Sequence, residues 1–359
     1  MSKRNYRIAL IPGDGIGHEV VPAAATVLEK VGSKQGFSFE WAEFDWSCER
    51  YSKVGAMMPD DGPELLAAFD GIFLGAVGYP GVPDHISLWG LLIPIRRAFD
   101  QYANVRPLKL FEGVESPLAG RGAGDIDMVI VRENAEGEYS QMGGRIYAGT
   151  ERETVIQEAV FTRHGVDRIL RHAFELATKR AAERSKQGRV TSATKSNGII
   201  HTMPYWDERF ELMAADYPDI ITDQFHIDIL SAHFVQHPDW FDVVVGSNLF
   251  GDILSDLGAA VVGGMGLAPA ANLNPESKHP SMFEPVHGSA PDIMGKGIAN
   301  PIAQIWTGAM MLDHLGEGDG ARAIEAAIAA VLADGSVRTP DLDGLADTNT
   351  LAQAIADAL

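Results

Sequence analysis

The sequence predicts an α/β fold built from two packed lobes. Runs of β-branched and apolar residues alternate with stretches whose apolar residues recur every three or four positions, as strands and helices do in α/β proteins. Over residues 137–162, two strand-like runs follow one another without a helix between them, which predicts an antiparallel part of the sheet. The 359 residues suffice for two domains, and no repeat or low-complexity linker separates them. We therefore expect a mixed sheet and a chain that passes between the lobes more than once.

The first predicted elements are a strand over Tyr6–Ile11 and a helix whose apolar stripe begins at Val20. A glycine-rich turn, PGDGIG over residues 12–17, joins them. Such a turn between a strand and a helix is typical of a phosphate-binding loop. Its spacing is G-x-G-x-G, however, and not the G-x-G-x-x-G of dinucleotide sites. A tight turn that only starts the helix is the alternative, and we favour it.

Several predicted strands are followed by a glycine or an arginine at their carboxyl ends, where open α/β sheets bind ligands. The strand over Asp70–Gly75 ends in a second glycine turn, and the strand over Ile126–Val131 is followed by Arg132. Arg96 and Arg106 precede it in the chain. Guanidinium groups bind carboxylates through two parallel hydrogen bonds. Three converging arginines would bind a small di- or tricarboxylate, whereas each one alone is typical of a protein surface.

The remaining elements follow from the same periodicities. Further strands are predicted over Phe37–Trp46, Gly137–Tyr147, Glu153–Thr162, Arg189–Thr194 and Ile220–Ile227. Helices are predicted over about Leu88–Tyr102, Val166–Ala177, Tyr205–Ala215, Pro301–Leu315 and Ala321–Leu332.

The stretch Phe241–Leu257 carries the most informative pattern. Val243–Val245 predicts a short buried strand. A buried helix face is predicted from the spacing of Phe250, Ile253, Leu254 and Leu257. Asp252 and Asp256 lie four residues apart, so both carboxylates project from the same side of that helix. No Lys or Arg within the stretch relieves their repulsion, but a hard cation such as Mg²⁺ or Mn²⁺ would. A solvated helix face with two independent carboxylates is the alternative.

Other candidate residues follow predicted strands. Asp228 closes a strand-like run and is either a third metal ligand or a helix N-cap. Tyr139 and Lys195 can act as general acid or base if burial or charge moves their pKa values towards neutrality. The loop Glu284–Asp292, with Asn300 nearby, has small residues that allow close approach of a phosphate. Its acidic side chains can accept hydrogen bonds from a ribose and repel a 2′-phosphate.

Composition limits the classes of partner. The net charge of −20 argues against nucleic acids and anionic membranes as default partners. The single cysteine, Cys48, cannot form an intramolecular disulfide, as is usual in a reducing compartment. The first residues lack a secretion signal, and no apolar run approaches the roughly 18–20 residues that span a bilayer. The histidines show no zinc-ligand spacing, and no G-x-S-x-G motif is present. We expect a cytoplasmic protein.

Several motifs together resemble the β-decarboxylating dehydrogenases, the family of isopropylmalate, isocitrate and tartrate/D-malate dehydrogenases. The resemblance covers nearly the whole chain. It is carried by the motifs IALIPGDGIGHEV, NVRP, VIVRENAEGEYS, TKSN, SNLFGDILSDL and EPVHGSAPDIMGKGIANP. The stretches DHISLWG, SATKSNGI and MPYWDER look like the tartrate/D-malate branch in particular.

The resemblance implies an isopropylmalate dehydrogenase-like fold, two lobes on a mixed parallel and antiparallel sheet, rather than a Rossmann fold. The first, cofactor-side lobe would comprise residues 1–103 and 263–359. The second lobe, for metal, substrate and dimerisation, would comprise residues 104–262. The family fold also implies an obligate homodimer whose active sites are shared between subunits.

The resemblance also implies a role for each candidate residue. The substrate carboxylates would be bound by Arg96, Arg106 and Arg132. Asp252 and Asp256 match metal ligands of one subunit, whereas the partner subunit would supply Asp228, Lys195 and Asn197. Tyr139 matches the general acid, and Lys195 matches the residue that accepts the hydroxyl proton. The implied contacts to the cofactor are Gly75, Asn197, Glu284, His287, Gly288, Ser289, Ala290, Asp292 and Asn300.

The implied reaction is oxidation of a 2-hydroxy diacid by NAD with β-decarboxylation, which converts D-malate to pyruvate and carbon dioxide. Mn²⁺ or Mg²⁺ would assist, and family members often also need K⁺. Asp292 followed by Ile293 resembles the NAD-dependent pattern rather than the NADP-dependent one.

Substrate choice and catalytic competence each have an alternative. Leu91 and Pro94 depart from the polar and basic residues expected in the tartrate/D-malate branch, and an apolar wall there would favour an alkylmalate. Trp89 argues the other way, because isopropylmalate enzymes usually have an acidic residue at that position. 3-Isopropylmalate dehydrogenase is therefore the alternative activity. A non-catalytic regulatory subunit is a third interpretation, which the complete set of Asp, Arg, Tyr and Lys residues argues against.

Overall fold

A computed structural model of the chain describes residues 4–359 and has twelve strands and twelve α-helices in that range. The strands are β1 (Arg4–Gly13), β2 (Phe37–Glu43), β3 (Gly71–Ala76), β4 (Ala103–Lys109), β5 (Asp127–Glu133), β6 (Gly143–Ile146), β7 (Thr154–Gln157), β8 (Arg189–Thr194), β9 (Ile221–His226), β10 (Val243–Gly246), β11 (Pro269–Leu273) and β12 (Ser281–Pro285). The helices are α1 (Gly17–Gln35), α2 (Cys48–Val54), α3 (Gly62–Leu66), α4 (Asp84–Ser87), α5 (Ile93–Ala98), α6 (Arg163–Arg184), α7 (Thr202–Ala214), α8 (Ile227–Gln236), α9 (Asn248–Val261), α10 (Ile302–His314), α11 (Gly318–Asp334) and α12 (Thr348–Ala358). No helix within 4–359 has the length and hydropathy of a membrane span.

Two compact units divide the chain, and it passes from one to the other four times. Unit 1 contains the residues up to Gln101, then Arg106–Ile126 and Ala259–Leu359. Unit 2 contains Tyr102–Val105 and Asp127–Gly258. Strand β4 therefore contributes residues to both units. The segment 106–126, predicted to belong to the second lobe, clusters with unit 1.

The mixed sheet predicted from the sequence is present in unit 1. Its strands follow the order β2-β1-β3-β12-β11, in which β11 is antiparallel to β12 and the other neighbours are parallel. The last six residues of β1 are buried, as expected of a central parallel strand. Alternate side chains of β3 point to opposite faces of the sheet. Phe73 belongs to one apolar cluster, and Ile72 and Leu74 belong to a second one on the other face. Helices α1, α10, α11 and α12 supply most of the first cluster.

The helix predicted over 88–102 instead spans residues 84–98 and contains a π-helical turn just before Pro94. Helix α4 leads into a π-helical turn, Leu88–Leu92, and α5 then begins at Ile93. Pro94 is the second residue of α5, directly after the π-helical turn, and it has no N–H to donate to the preceding turn. The preceding N–H, that of Ile93, reaches back five residues to the carbonyl of Leu88. The helix is thus not delayed by the proline, since it begins at residue 84, and the irregularity next to Pro94 is the π-helical turn that precedes it.

Unit 2 brings several strand ends to one edge. Strands β5, β10, β8 and β9 are neighbours in that order and run parallel to one another. Their carboxyl ends therefore lie on the same side of the sheet. Four candidate residues lie at or shortly after the carboxyl ends of these strands: Arg132, Lys195, Asp228 and Asn248.

The antiparallel part predicted for residues 137–162 is also present. β6 and β7 form a separate two-stranded sheet, and an antiparallel bridge joins Gly137 to Val160. The strands are shorter than predicted, four residues each, and all eight residues are exposed. An isolated hairpin of this size is marginally stable in water.

Candidate functional site

Arg132 and Tyr139 converge on Asp252 in unit 2. Arg132, 3% exposed, forms an ion pair through Nη1 with Oδ1 of Asp252. The hydroxyl of Tyr139 donates a hydrogen bond to Oδ2 of the same carboxylate over 2.9 Å. The guanidinium of Arg132 also lies over the ring of Tyr139, 5.4 Å from its centroid. The predicted general acid and a predicted substrate arginine therefore contact one predicted metal ligand.

Helix α9 forms as predicted, but its buried face is narrower. Phe250 and Leu254 are buried, Leu257 is partly exposed, and Ile253 is 48% exposed. The prediction that Ile253 lies in the core is wrong, because this residue lies on the side of the helix that carries Asp252 and Asp256. The cation that relieves Asp252 within one chain is Arg132, which is 120 residues away and invisible to local sequence patterns.

The environment of Tyr139 keeps its hydroxyl protonated. Burial is the largest cause of a raised pKa for Tyr139, and the nearby charge of Asp252 and its hydrogen bond raise the pKa further. Arg132 acts in the opposite direction. The pKa of Tyr139 thus moves away from neutrality, so the expected shift towards neutrality is wrong for this residue within one chain.

The turn before Tyr139 fixes the start of α9. Glu138 accepts hydrogen bonds from the Ser247 hydroxyl over 2.8 Å and from the backbone N–H of Leu249 over 3.1 Å. A carboxylate at this place satisfies a helix N–H that has no helical partner and interacts favourably with the helix dipole. The residue next to the predicted acid thus positions the helix that carries Asp252. Sequence reasoning did not single out Glu138, since its partners are more than 100 residues away.

Glu133 is a buried carboxyl directly after Arg132. Its oxygens accept hydrogen bonds from the backbone N–H groups of Ala135 and Glu136, at 3.0 and 2.8 Å. Burial nevertheless raises the pKa of Glu133 to about 7, and these hydrogen bonds only partly oppose that rise. The turn that leads to Tyr139 is therefore held by a group that titrates near neutrality.

Lys195 and Asp228 form an ion pair with each other, 2.8 Å between Nζ and Oδ1. The hydrogen bond from Lys195 is the main cause of a lowered pKa for Asp228, which is largely exposed. Asn197, in the turn after β8, is also exposed. Asp228 lies in the first turn of α8, and the capping position before it is His226, so the N-cap alternative for Asp228 is wrong.

The carboxylates of α9 suit a hard divalent cation. Asp252 and Asp256 lie one turn apart, and Asp256 is exposed. Mg²⁺ is typically held by one or two carboxylates and keeps other positions for water and substrate. Among residues 4–359 of a single copy, no three His, Cys, Asp or Glu side chains come together as a metal-binding group. Asp228 thus does not complete such a group within its own chain.

In unit 1, Arg96 is buried and paired. Its Nη2 donates to Glu284 over 2.8 Å, and the same carboxylate oxygen accepts a hydrogen bond from Asn272 over 2.7 Å. The Nε–H of Arg96 is buried and has no hydrogen-bond partner within residues 4–359. Such a donor is costly unless a ligand satisfies it. Arg106, on β4, is likewise 7% exposed.

Two of the predicted cofactor contacts already have partners within the protein. Glu284 is paired with Arg96, and Asn300 accepts a hydrogen bond from the N–H of Ile302 and donates one to Asp341. His287 donates through Nδ1 to the carbonyl of Gly288, while its Nε2 is buried without a partner in the described chain. Burial lowers the pKa of His287, so the ring is neutral and Nε2 is an acceptor. Gly288 and Asp292 are exposed, and Ser289 and Ala290 are more buried.

The glycine-rich turn after β1 supports this loop. Asp14 is buried, and its carboxylate accepts hydrogen bonds from the N–H groups of Cys48, Glu49 and Gly78 at 2.9–3.1 Å. The N–H of Ile16 donates to the carbonyl of Ser289 over 2.9 Å. The turn's own N–H groups at Asp14, Ile16 and Gly17 all donate to backbone carbonyls, which favours the tight-turn interpretation over a phosphate-binding loop.

Two further expectations concern Gly75 and Leu91. A Cβ atom on Gly75 would lie 2.4 Å from the carbonyl oxygen of Pro12, so close packing alone requires glycine there. Leu91 is fully buried in an apolar cluster that includes Met57 and Ile72. Its apolar character is therefore explained by core packing, and it gives no separate argument for an alkylmalate.

Comparison with known proteins identifies the class. The family model "Isocitrate/isopropylmalate dehydrogenase" matches residues 7–358. The chain belongs to this family of dehydrogenases.

Individual relatives are similar over their whole length. D-malate dehydrogenase [decarboxylating] of Escherichia coli is 60% identical over 98% of both chains. Tartrate dehydrogenase/decarboxylase of Pseudomonas putida is 58% identical over 100% of this chain and 99% of its own. Among solved structures, isocitrate dehydrogenase from Methylococcus capsulatus matches with a TM-score of 0.87 at 39% identity, over 98% of this chain and 99% of its own. The predicted family and fold are confirmed, and the relatives' names agree with the predicted tartrate/D-malate branch.

Proposed function

We propose that this enzyme oxidises a 2-hydroxy diacid, D-malate and/or tartrate, with NAD and decarboxylates the product at the β-position. The observation that carries the proposal is the convergence of Arg132 and Tyr139 on Asp252. An anion-binding cation, a protonated acid and a metal-binding carboxylate are the groups that this reaction requires. The whole-length similarity to enzymes named D-malate and tartrate dehydrogenase supports the substrate class.

The chain's own residues account for binding and proton transfer. Arg96, Arg106 and Arg132 bind the two carboxylates, and the unpaired Nε–H of Arg96 provides a donor for one of them. Lys195 gives a proton to Asp228, with which it pairs, and its neutral amine then accepts the proton of the 2-hydroxyl as the hydride leaves. Tyr139 gives its proton to the enol carbon after carbon dioxide has left.

The proposed reaction also needs two bound cofactors, a divalent metal ion and NAD. Asp252 and Asp256, with Asp228, would hold Mn²⁺ or Mg²⁺, which supplies Lewis acidity at the substrate oxygen. The loop Glu284–Asp292 and Asn300, with Gly75 and Asn197, would hold NAD. The buried, unpaired Nε2 of His287 supports a ligand at this loop. The exposed carboxylate of Asp292 favours NAD over NADP, because it repels a 2′-phosphate.

We further propose a homodimer in which each site takes Lys195, Asn197 and Asp228 from the partner subunit. In support, Asp228 pairs with Lys195 and does not join the α9 aspartates within one copy. Unit 2 also exposes large apolar side chains that a second copy would cover. They are Met142, Ile146, Tyr147, Val155 and Ile156 around the hairpin, Ile229 and Val235 on α8, and Ile253 on α9.

A substrate panel tests the proposal. Initial rates of NADH formation would be measured with D-malate, the tartrate isomers and 3-isopropylmalate, each with Mn²⁺ or Mg²⁺ and K⁺, with and without chelator. We expect turnover of D-malate or tartrate that the chelator abolishes, and carbon dioxide release with D-malate. Asp252→Asn should remove this turnover while circular dichroism shows an intact fold.

The other outcomes are equally definite. A rate with 3-isopropylmalate far above all others would replace our assignment with isopropylmalate dehydrogenase. Inactivity across the panel would favour a regulatory subunit. Unchanged activity in Asp252→Asn would remove this residue from the metal site.

A further inference from the structure

Asn248 occupies a fixed place beside Arg132. It is the first residue of α9, is 3% exposed, and follows β10 by two residues. Gly246 of β10 pairs in register with Arg132 of β5. The sheet therefore fixes the backbones of Arg132 and Asn248 relative to each other.

The amide of Asn248 makes three hydrogen bonds in this position. Its Oδ1 accepts hydrogen bonds from Nε and Nη2 of Arg132, at 3.2 and 2.8 Å. Its Nδ2 donates to the backbone carbonyl of Glu136 over 3.1 Å. A guanidinium only donates and a carbonyl only accepts, so these partners allow one orientation of the amide. The amide links Arg132 to the turn that leads to Tyr139.

One face of α9 surrounds Arg132. Asn248, Gly251 and Asp252 lie at positions i, i+3 and i+4 of the helix, and such residues share a face. A Cβ atom on Gly251 would lie 2.5 Å from Cβ and 2.7 Å from Cγ of Arg132, so only glycine accommodates the arginine stem. Asn248 contacts one edge of the guanidinium, and Asp252 contacts Nη1. These contacts fix both the stem and the plane of the side chain.

Helix capping does not explain Asn248. The Leu249 N–H is bonded to Glu138, and the Ser247 hydroxyl lies 3.5 Å from the N–H of Phe250. The start of the helix is thus served by other side chains. An amide also differs from a carboxylate in that it orients a guanidinium without neutralising its charge.

From these contacts we propose that Asn248 is a positioning residue that fixes the orientation of the Arg132 guanidinium for a substrate carboxylate and, unlike an acidic side chain, adds no negative charge of its own. This inference rests on the proposed function, in which Arg132 binds that carboxylate. The side edge of the guanidinium, Nε and Nη2, is held by Asn248, while Nη1 is paired with Asp252. Asn248 itself contacts neither substrate nor metal.

The first test observes Arg132 in the protein without substrate. The Nε–H resonance of Arg132, assigned by its loss in Arg132→Lys, should be slowly exchanging in the unmodified protein and exchange-broadened or shifted in Asn248→Ala. Asn274→Ala is the matched control, because Asn274 is also 3% exposed and bonds to backbone groups but lies in unit 1. An Arg132 resonance that is unchanged in Asn248→Ala overturns the inference, whether or not the chain oxidises D-malate.

The second test separates binding from turnover. We expect Asn248→Ala to raise the KM for D-malate about tenfold to a hundredfold, the range of a lost hydrogen bond to a charged group, with kcat changed less. The KM for NAD should stay the same.

Asn248→Asp keeps the acceptor but neutralises the guanidinium, so it should also raise the KM for D-malate while the Arg132 resonance stays protected. A generally damaged fold would lower kcat and raise the KM values for D-malate and for NAD alike. That result in Asn248→Ala would contradict the proposal. Failure of the proposed function would instead be seen in the unmodified chain, as inactivity with every hydroxy diacid.

Discussion

At the scale of single residues, burial decides the chemistry of this chain. Glu133 is the clearest case, since a carboxyl placed out of water beside Arg132 has its pKa raised to about 7 despite two hydrogen bonds from backbone N–H groups. Tyr139 follows the same rule on the other side of the turn. Composition cannot reveal such shifts, because a glutamate or tyrosine in the sequence is expected to be exposed and to have its ordinary pKa.

The raised pKa of Glu133 predicts a pH-dependent stability. In the unfolded chain the carboxyl titrates near its usual value of 4.5, so between about pH 4.5 and 7 the folded state binds more protons than the unfolded state. The free energy of unfolding should therefore fall as the pH rises through this window, by at most about 3–4 kcal/mol from this group. Urea denaturation of Glu133→Gln at pH 5, 6, 7 and 8 should show a flatter dependence. The exposed Glu64→Gln should behave like the unmodified protein, and equal slopes in all three would refute the prediction.

At the scale of elements, junctions between strands and helices hold the candidate residues. The turn after β1 packs against the end of β3, and the turn after β10 is held by Glu138. Local periodicity predicted strand β10, helix α9 and the turn between them. It failed at Ile253, because the period of a helix does not show which apolar residues face the protein's own core and which remain exposed.

Gly75 provides a test at this scale. A Cβ atom there would lie 2.4 Å from the Pro12 oxygen and 2.8 Å from the Val21 side chain, so Gly75→Ala must displace β1 or α1. We expect a loss of about 1–3 kcal/mol in the free energy of unfolding, measured by chemical denaturation. Gly122→Ala is the control, since nothing lies within 4 Å of its added carbon. Equal stability of the two variants would show that the junction is more yielding than its packing suggests.

At the scale of the whole molecule, the sequence predicted the family, the mixed sheet and the antiparallel hairpin, because each leaves a local or motif-level signal. The contacts among Arg132, Asn248 and Asp252 could not be predicted, since they join residues more than 100 positions apart. The same holds for the pairing of Lys195 with Asp228, which the strand ends of β8 and β9 bring together. Neither partner of that pair carries a spacing that identifies the other.

We propose that one active site is assembled from two copies of the chain. Arg132, Tyr139 and Asp252 form one cluster, and Lys195 with Asp228 forms another. In a symmetric dimer, the two clusters of one site would come from different subunits. Two chains that are each inactive for a different reason should then complement each other.

The most direct measurement mixes Lys195→Ala with Arg132→Ala under conditions that exchange subunits, and follows NADH formation with D-malate. Each variant alone should be inactive, and an equimolar mixture should recover about a quarter of the unmodified activity, because half of the dimers contain one intact site. Lys195→Ala mixed with Asp228→Ala should recover none, since both lesions fall in the same cluster. Absence of recovery in the first mixture, with subunit exchange demonstrated by mass-labelled chains, would contradict the shared site.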